Sequence, residues 1–208
     1  MTTPSQQITD EQTLETLLGE PMEFVRAKVV PELSEAMRDF IAASPLVFIS
    51  TIDAEGRVDL SPKGDPPGFI TTQSPTQLTI PERPGNRLTF GFRNIIRNGQ
   101  IGLMFLVPHQ RETLRVKGTA TLHHNPAELA EMAVNGKPAL LTTHVTITEC
   151  HFHCGKALIR SHLWKPENWP TDARSIAARS YAKQGLLGNN DIKHTEQVLD
   201  QVYKDELY

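Results

Sequence analysis

The sequence predicts a mainly β protein with flanking helices, in which six antiparallel strands form a small barrel. The first observation is a succession of short apolar runs with alternating polarity, separated by turns as in antiparallel hairpins. The second is that only two helical segments interrupt the strands, whereas a doubly wound parallel sheet needs a helix after every strand. The third is size, because 208 residues suffice for one domain whose core needs no disulfide or metal.

Residues 1–44 are predicted to be a helical lead-in. A short helix covers Asp10–Leu18, and a second helix begins after Ser34, whose side chain is a favourable N-cap. The second helix ends before Pro45, because proline disfavours helical geometry in the residue that precedes it.

Four strands are predicted next. Leu46–Ile52 is apolar and β-branched, as a buried strand should be, and Arg57–Ser61 returns after a turn. We expect Ser61–Gly68 to break regular pairing, because its prolines cannot donate to a central ladder. Two short strands, Phe69–Thr72 and Gln77–Ile80, follow.

The rest of the barrel consists of longer strands with interposed helices. A helix is predicted over Leu88–Arg97, followed by a hairpin of Ile101–Val107 and Thr113–Leu122, the second arm of which alternates strictly in polarity. An Asn-Pro start and an Asn-Gly end predict a helix over Ala127–Val134. The last strand covers Leu140–His153.

Residues 165–208 are predicted to be a C-terminal helical extension. Gly155–Trp164 is predicted as a short helix or turn that completes the barrel domain, residues 45–164. Beyond it, Ala173–Gln184 and His194–Tyr203 are polar segments with helical character.

The distribution of charge predicts a local anion-binding site. The chain carries 21 Lys and Arg against 24 Asp and Glu, yet residues 57–120 carry nine basic and four acidic side chains. So local an excess favours a small anionic ligand over nucleic acid. The longest apolar runs are far shorter than the roughly 20 residues that span a membrane. With only Cys150 and Cys154 and no apolar secretory segment, we expect a cytoplasmic protein without a membrane partner.

Familiar catalytic motifs are missing from the sequence. It contains no Gly-x-Ser-x-Gly elbow and no glycine-rich phosphate loop. Cys150, His151, His153 and Cys154 are close in sequence, but strand alternation places cysteines and histidines on opposite faces, so no metal is expected. A phosphate group would instead be held by side chains, for which the guanidinium fork is well suited. The candidate cations at strand ends and turns are Lys63, Arg83, Arg87, Arg115, Lys156 and Arg160.

Six stretches follow one another over residues 40–164: Ser61–Asp65, Ile80–Arg87, Asn94–Ile95, Gly102–Phe105, Glu112–Gly118 and Phe152–Trp164. In this order and spacing they resemble the FMN-binding split-barrel family, the pyridoxamine 5′-phosphate oxidase-like class, and within it an uncharacterised branch. The resemblance implies a six-stranded antiparallel split barrel that forms a homodimer, with FMN bound in clefts at the subunit interface.

The resemblance also implies a set of FMN-binding residues. Arg83 and Arg87 would hold the phosphate, and Lys63 would lie close to the flavin. The full set expected from one chain is Ser61, Lys63, Arg83, Asn86, Arg87 and Arg115. The set expected from the partner chain is Lys156, Arg160 and Ser161. The alternative for each cation is an ordinary surface ion pair, which contributes only about 0–1 kcal/mol to stability.

Arg160 and His162 match the Arg-x-His of the family and are expected on the substrate side of the flavin as catalytic residues. On an extended segment both side chains would point to the same face. On a helix they would diverge by about 200°. The family favours the extended form. The alternative is that Arg160 neutralises a carboxylate and His162 packs beside Trp164.

The expected activity is that of an FMN-dependent oxidoreductase with a small-molecule substrate and NAD(P)H as candidate electron donor. The alternatives are a flavin-binding or storage module without turnover, a split barrel that binds heme or a deazaflavin, and an interaction protein. Oxidases of this family clamp the substrate phosphate with Tyr, Arg and Ser, whereas Asn125–Thr143 contains neither Tyr nor Arg. The pyridoxamine phosphate reaction is therefore not expected. The extension beyond Trp164 would cover the cleft or lengthen the dimer interface.

Overall fold

The computed structural model describes residues 7–170, 176–188 and 190–208. In these residues seven strands form one sheet: β1 (Leu46–Ile52), β2 (Val58–Gly64), β3 (Thr71–Ser74), β4 (Gln77–Glu82), β5 (Gln100–Leu106), β6 (Thr113–His123) and β7 (Leu141–His153). Eight α-helices flank them: α1 (Glu11–Leu18), α2 (Glu23–Ala27), α3 (Glu35–Ala43), α4 (Phe90–Asn98), α5 (Pro126–Glu131), α6 (Lys156–Arg160), α7 (Ile176–Gln184) and α8 (Ile192–Asp205). A 3₁₀ turn covers Pro166–Asn168.

The sheet is antiparallel throughout, with the strand order β2-β1-β5-β6-β7-β4-β3. The mainly β class with flanking helices is confirmed. The six-stranded count expected for the barrel is wrong, because the described part of the chain forms seven strands, which correspond to the seven strand segments predicted individually. The four-residue strand β3 pairs with β4 as a separate edge strand.

The sheet curls so that strands far apart in its order approach each other. β2 is first in the order and β4 is sixth, yet Lys63 near the end of β2 is ion-paired with Glu82 at the end of β4. Just beyond these strands, Asp65 binds Arg83. Twist between neighbouring strands makes such curling the usual outcome in a sheet of this size. The result is a seam between β2 and β4.

The core lies inside the curl. The predicted alternation of β6 is confirmed, since every second residue from Leu114 to Ala120 is buried and the residues between them are exposed. Helix α3 closes one side of the core with Met37 and Ile41. Burial of each large aliphatic side chain contributes about 1.5–3 kcal/mol, so the sheet and α3 hold together without a cross-link. Both cysteines are free.

Strand β2 continues through Pro62, contrary to the predicted break at Ser61–Gly68. Pro62 lies opposite Phe48 of β1, and pairing extends to Gly64. β2 is an edge strand, and an edge strand tolerates proline because one side of its ladder has no partner to bond. The strand therefore carries Lys63 further along the seam than the sequence suggested.

The helices agree with the prediction except near their ends, and α2 was missed because five residues give too little periodicity. The predicted start at Ala173 lies outside the described residues, in which the helix begins at Ile176. Helices α1 and α2 bury no residue, and Leu17, Leu18 and Phe24 are exposed. Within the described ranges, no helix is long and apolar enough to cross a membrane.

Candidate functional site

A cleft of about 720 Å³ occupies the seam between β2 and β4. One wall is the end of β2, from Asp59 to Asp65, and the opposite wall is the end of β4 with the loop 83–89. The first turn of α4 forms the floor, and Leu207 and Tyr208 line the cleft from the end of the extension. The volume lies within the range of about 300–1,000 Å³ that is usual for small-molecule sites.

The loop 83–89 has an unusual backbone. Asn86 Oδ1 accepts a hydrogen bond from the Leu88 amide at 3.0 Å, which closes a tight turn. Arg87 has φ 58° and Thr89 has φ 56°, both in the left-handed region that side chains rarely adopt. Such residues cost of order 1–3 kcal/mol each and cluster at ligand sites. The loop thus places Arg87 at the rim of the cleft on a strained backbone.

Arg83 is clamped at two of its three nitrogens. Its Nε donates to Asp65 Oδ2 at 2.6 Å, and its Nη2 donates to the Met132 carbonyl at 2.8 Å. The Asp65 side chain is only 1% exposed and that of Arg83 is 13% exposed. The remaining nitrogen, Nη1, is buried and has no hydrogen-bond partner in the described part of the chain. A buried donor of this kind is costly unless a ligand or water accepts from it, so Arg83 is suited to an anionic ligand.

Lys63 lies in the cleft between a carboxylate and an aromatic ring. Its Nζ is ion-paired with Glu82 and lies 5.0 Å from the centre of the Phe92 ring, within the range of a cation–π contact. Burial raises the pKa of Glu82, although the charges of Lys63 and Arg83 act in the opposite direction. Lys63 is thus held at the cleft wall by a largely buried carboxylate.

The floor of the cleft is tied to the sheet by a buried polar pair. Asn94 Nδ2 of α4 donates to Thr51 Oγ1 of β1 at 3.1 Å, and both residues are buried. Gly91 in the first turn of α4 allows close approach to β2, because a Cβ at this position would lie 3.2 Å from Asp59 Oδ2. The pair fixes α4, and with it Phe92, against the seam.

The structure brings five of the predicted cofactor residues to this cleft. They are Ser61, Lys63, Arg83, Asn86 and Arg87. The interpretation as ordinary surface ion pairs does not describe Lys63 and Arg83, because their partners Glu82 and Asp65 are largely buried. Asp65 and Glu82 themselves were missed, although both lie within stretches that carry the family resemblance.

The other predicted residues lie outside the cleft of the same chain. Arg115 is exposed on β6, opposite His151 of β7. Lys156, Arg160 and Ser161 are exposed on or beside α6. Arg115 was expected in the same set as Ser61 and lies on a different surface, whereas the other three were expected from the partner chain; the roles of all four stay predictions.

The extended conformation expected for Arg160–His162 is wrong. Arg160 ends α6, where its Nε donates to the Lys156 carbonyl at 3.2 Å. His162 follows with φ 52°, so strand alternation does not place the two side chains on one face. Trp164 donates through Nε1 to the Gln110 carbonyl at 2.8 Å, which holds the segment compactly against the β5–β6 turn.

A second cluster of polar side chains lies near the end of β7, where Arg115 and Lys28 are close to His151 and His153. Burial, reinforced by the charges of Arg115 and Lys28, lowers the pKa of both imidazoles. His151 Nδ1 is buried without a hydrogen-bond partner. Across the described residues, no three His, Cys, Asp or Glu side chains are arranged to hold a metal ion.

Comparison with known proteins identifies one family. The family model described as "Pyridoxamine 5'-phosphate oxidase" matches residues 33–154. No curated protein sequence matches the chain.

Solved structures resemble the chain more distantly. A candidate pyridoxamine 5′-phosphate oxidase from Lactobacillus delbrueckii shares 24% identity over 57% of this chain and 93% of its own, with a TM-score of 0.45. HupZ from Group A Streptococcus shares 18% identity over 57% of this chain and 91% of its own, with a TM-score of 0.46. An FMN-binding protein from Syntrophomonas wolfei shares 14% identity over 67% of this chain and 96% of its own, with a TM-score of 0.46.

Proposed function

Because the match over residues 33–154 covers more than half of its length, the chain belongs to the pyridoxamine 5′-phosphate oxidase family, and from that premise we propose that it binds FMN and acts as an oxidoreductase on a small molecule. The observation that carries the proposal is the seam cleft, which combines clamped and rim arginines with an apolar wall.

The donor set of the cleft suits a phosphate group. Arg83 offers the buried Nη1, which has no hydrogen-bond partner among the described residues, and Arg87 lies at the rim on the strained loop. Lys63 adds a third positive charge, and Ser61 and Asn86 add neutral polar groups. Charge-assisted hydrogen bonds from guanidinium to phosphate are about twice as strong as neutral ones, so this end of the cleft would hold the phosphate.

The remaining cleft wall suits a planar ring. Phe69 and Phe92 line it together with the aliphatic Ile49 and Ile95, and apolar walls with few polar groups are typical of cofactor sites. Bound FMN would supply the electron-transfer chemistry through its isoalloxazine ring. The chain's own residues would bind and orient the cofactor and exclude water from the apolar side.

We propose further that the working unit is a homodimer. Arg160 and His162 lie outside the cleft of their own chain, and so do Lys156 and Ser161. In the dimer we propose, this segment of the partner copy lies at the cleft. By two-fold symmetry each of the two clefts then receives one such segment. Arg160 would then bind an anionic substrate group, and His162 would lie near the reactive part of the flavin. The two free cysteines support placing this reaction in the cytoplasm.

Flavin titration tests the cofactor proposal. Apo protein is titrated with FMN and with riboflavin, which lacks the phosphate, and binding is followed by flavin fluorescence. We expect FMN to bind at least tenfold more tightly, as each charge-assisted bond contributes about 1.5–3 kcal/mol. Arg87→Ala should lose most of that preference, while the control Arg111→Ala, an exposed arginine outside the cleft, should keep it. Equal binding of FMN and riboflavin by the unmodified protein would contradict the proposal.

Two further measurements separate the alternatives. Bleaching of the flavin spectrum by NADPH or NADH supports an oxidoreductase, whereas a flavin spectrum that no nicotinamide changes points to storage. Binding of heme or a deazaflavin in place of FMN indicates the alternative cofactor.

A mixing experiment tests the shared cleft. Arg87→Ala and Arg160→Ala subunits are unfolded together and refolded, so that hybrid dimers form. If each cleft takes Arg87 from one chain and Arg160 from the other, the mixture regains about a quarter of the wild-type sites by two-fold symmetry. A monomer in light scattering, or no recovery in the mixture, would refute the shared cleft.

A further inference from the structure

The C-terminal extension reaches back to the cleft. After α8 the chain places Leu207 and Tyr208 in its lining. The Tyr208 hydroxyl donates to Asp65 Oδ1 at 3.0 Å, and the Tyr208 backbone oxygen accepts from Lys137 Nζ at 2.5 Å. These contacts join residues that are 143 and 71 positions apart in sequence.

We propose that Tyr208 is a positioning residue of the cleft, which acts through Asp65 to fix the Arg83 guanidinium for the phosphate of the ligand. The identity of that ligand rests on the function proposed above. The inference adds to it a residue far outside the segment that matches the family, residues 33–154.

Both carboxylate oxygens of Asp65 accept hydrogen bonds from distant parts of the chain. Oδ2 accepts from Arg83 Nε at 2.6 Å and Oδ1 accepts from the Tyr208 hydroxyl. The Asp65 side chain is almost completely buried, so water cannot easily replace either donor. With both oxygens engaged, the carboxylate plane is fixed, and the direction of the Arg83 fork follows from it.

One nitrogen of Arg83, Nη1, remains available to a ligand. Nε is held by Asp65 and Nη2 by the Met132 carbonyl, which leaves the buried Nη1 as the donor without a partner. Holding two nitrogens limits the freedom of the third. A phosphate oxygen that binds Nη1 therefore meets a preorganised donor, and preorganisation improves affinity by lowering the ordering cost of binding.

The extension is anchored by a few residues and not along its whole length. Helices α7 and α8 bury the small residues Ala178, Ala182 and Thr195, while Leu207 stays 63% exposed.

The hydrogen bond to Asp65, with smaller contributions from burial and the Asp65 charge, raises the pKa of the Tyr208 phenol. Tyr208 therefore keeps its proton, which it needs in order to donate to the carboxylate.

The test compares Tyr208→Phe, which removes only the hydroxyl, with Tyr203→Phe, an exposed tyrosine on α8. Affinities for FMN and riboflavin are measured separately at low and high salt. We expect Tyr208→Phe to weaken FMN binding roughly three- to tenfold and to leave riboflavin binding unchanged. This is less than the loss of a charge-assisted bond to the ligand itself, because Tyr208 acts only through Asp65 and Arg83. Tyr203→Phe should change neither affinity.

The outcomes distinguish this inference from the function on which it rests. If the unmodified protein prefers FMN to riboflavin and Tyr208→Phe keeps the same preference, the positioning role is refuted and FMN binding stands. If the unmodified protein shows no preference, the proposed function fails, and the inference fails with it.

A second readout does not involve the ligand. Spectroscopic titration of tyrosine ionisation in apo protein should show one group, Tyr208, that ionises above the ordinary pKa of tyrosine. That group should be absent in Tyr208→Phe and shifted in Asp65→Asn. A titration of Asp65→Asn identical to that of the unmodified protein would show that the hydrogen bond is not formed, which overturns the inference.

Discussion

Asp65→Asn should destabilise the protein strongly while hardly changing the shape of the side chain. The substitution removes the charge that neutralises Arg83 and offers an NH₂ group to one of two donors, Arg83 Nε and the Tyr208 hydroxyl. Breaking a fully buried ion pair costs about 3–5 kcal/mol. Arg83 remains 13% exposed and keeps its bond to the Met132 carbonyl, so we expect a somewhat smaller loss of about 2–4 kcal/mol.

Urea unfolding of the apo protein measures this loss, and thermal unfolding gives an independent value. For a chain of this size each kcal/mol lowers the Tm by about 2–4 °C, so a decrease of about 5–15 °C is expected. A double-mutant cycle with Arg83→Met completes the design. Because the double variant has no unpaired charge, it should be more stable than the two separate losses predict. Glu55→Gln, at an exposed ion pair with Arg57, is the control and should leave the Tm unchanged.

The reasoning is refuted if Asp65→Asn loses less than about 0.5 kcal/mol, as an ordinary surface substitution would. It is also refuted if the losses of Asp65→Asn and Arg83→Met simply add, since additivity indicates that the two groups do not interact.

Three other predictions concern the sheet and the cysteines. Gly118→Ala should destabilise by about 3 kcal/mol or more, because the new Cβ would lie 2.1 Å from the Thr146 carbonyl oxygen, a backbone atom that cannot rotate away; urea unfolding measures it, and a change below 1 kcal/mol would contradict the predicted clash. The lowered pKa of His151 favours its neutral form in the folded state, so its contribution to stability is complete above the ordinary pKa near 6.5 and is lost as the pH falls; His151→Gln should therefore lose less stability than the unmodified protein between pH 7.5 and 5.5, and parallel pH profiles would disprove it. Burial raises the pKa of Cys150, whereas Cys154 is exposed; a thiol reagent should therefore label one cysteine per chain rapidly in native protein, and rapid labelling of two would be inconsistent with this environment.

Much of the fold was predictable because antiparallel hairpins are specified locally. Alternation along β6 and the turn after β1 depend on residues that are near in sequence, and the structure confirms both. The path of β2 through Pro62 was not predictable, since it depends on whether the strand is central or at an edge. Edge position is a property of the whole sheet and leaves no mark on a single strand.

Only the part of the site that lies within the family-like stretches was predictable from the sequence. Lys63 and Arg87 could be found through the family resemblance, because the stretches around them keep its order and spacing. Tyr208 could not be predicted, since no pattern in the sequence around it indicates a contact with Asp65. That contact depends on how the extension folds back. The short helix at Arg160 was also uncertain, because five residues carry too little periodicity to distinguish a helix from an extended segment.

Because of the left-handed backbone at Thr89, selection for stability and selection for ligand affinity favour different residues at this position. A β-branched residue with φ 56° is disfavoured, and glycine would relieve that disadvantage. Laboratory evolution for heat tolerance alone would accept glycine at this position, and the folded protein would gain stability. The same change would let the rim loop that carries Arg87 sample more conformations, at the expense of ligand affinity. Thr89 is therefore a position at which directed evolution for durability and for tight binding would choose different residues.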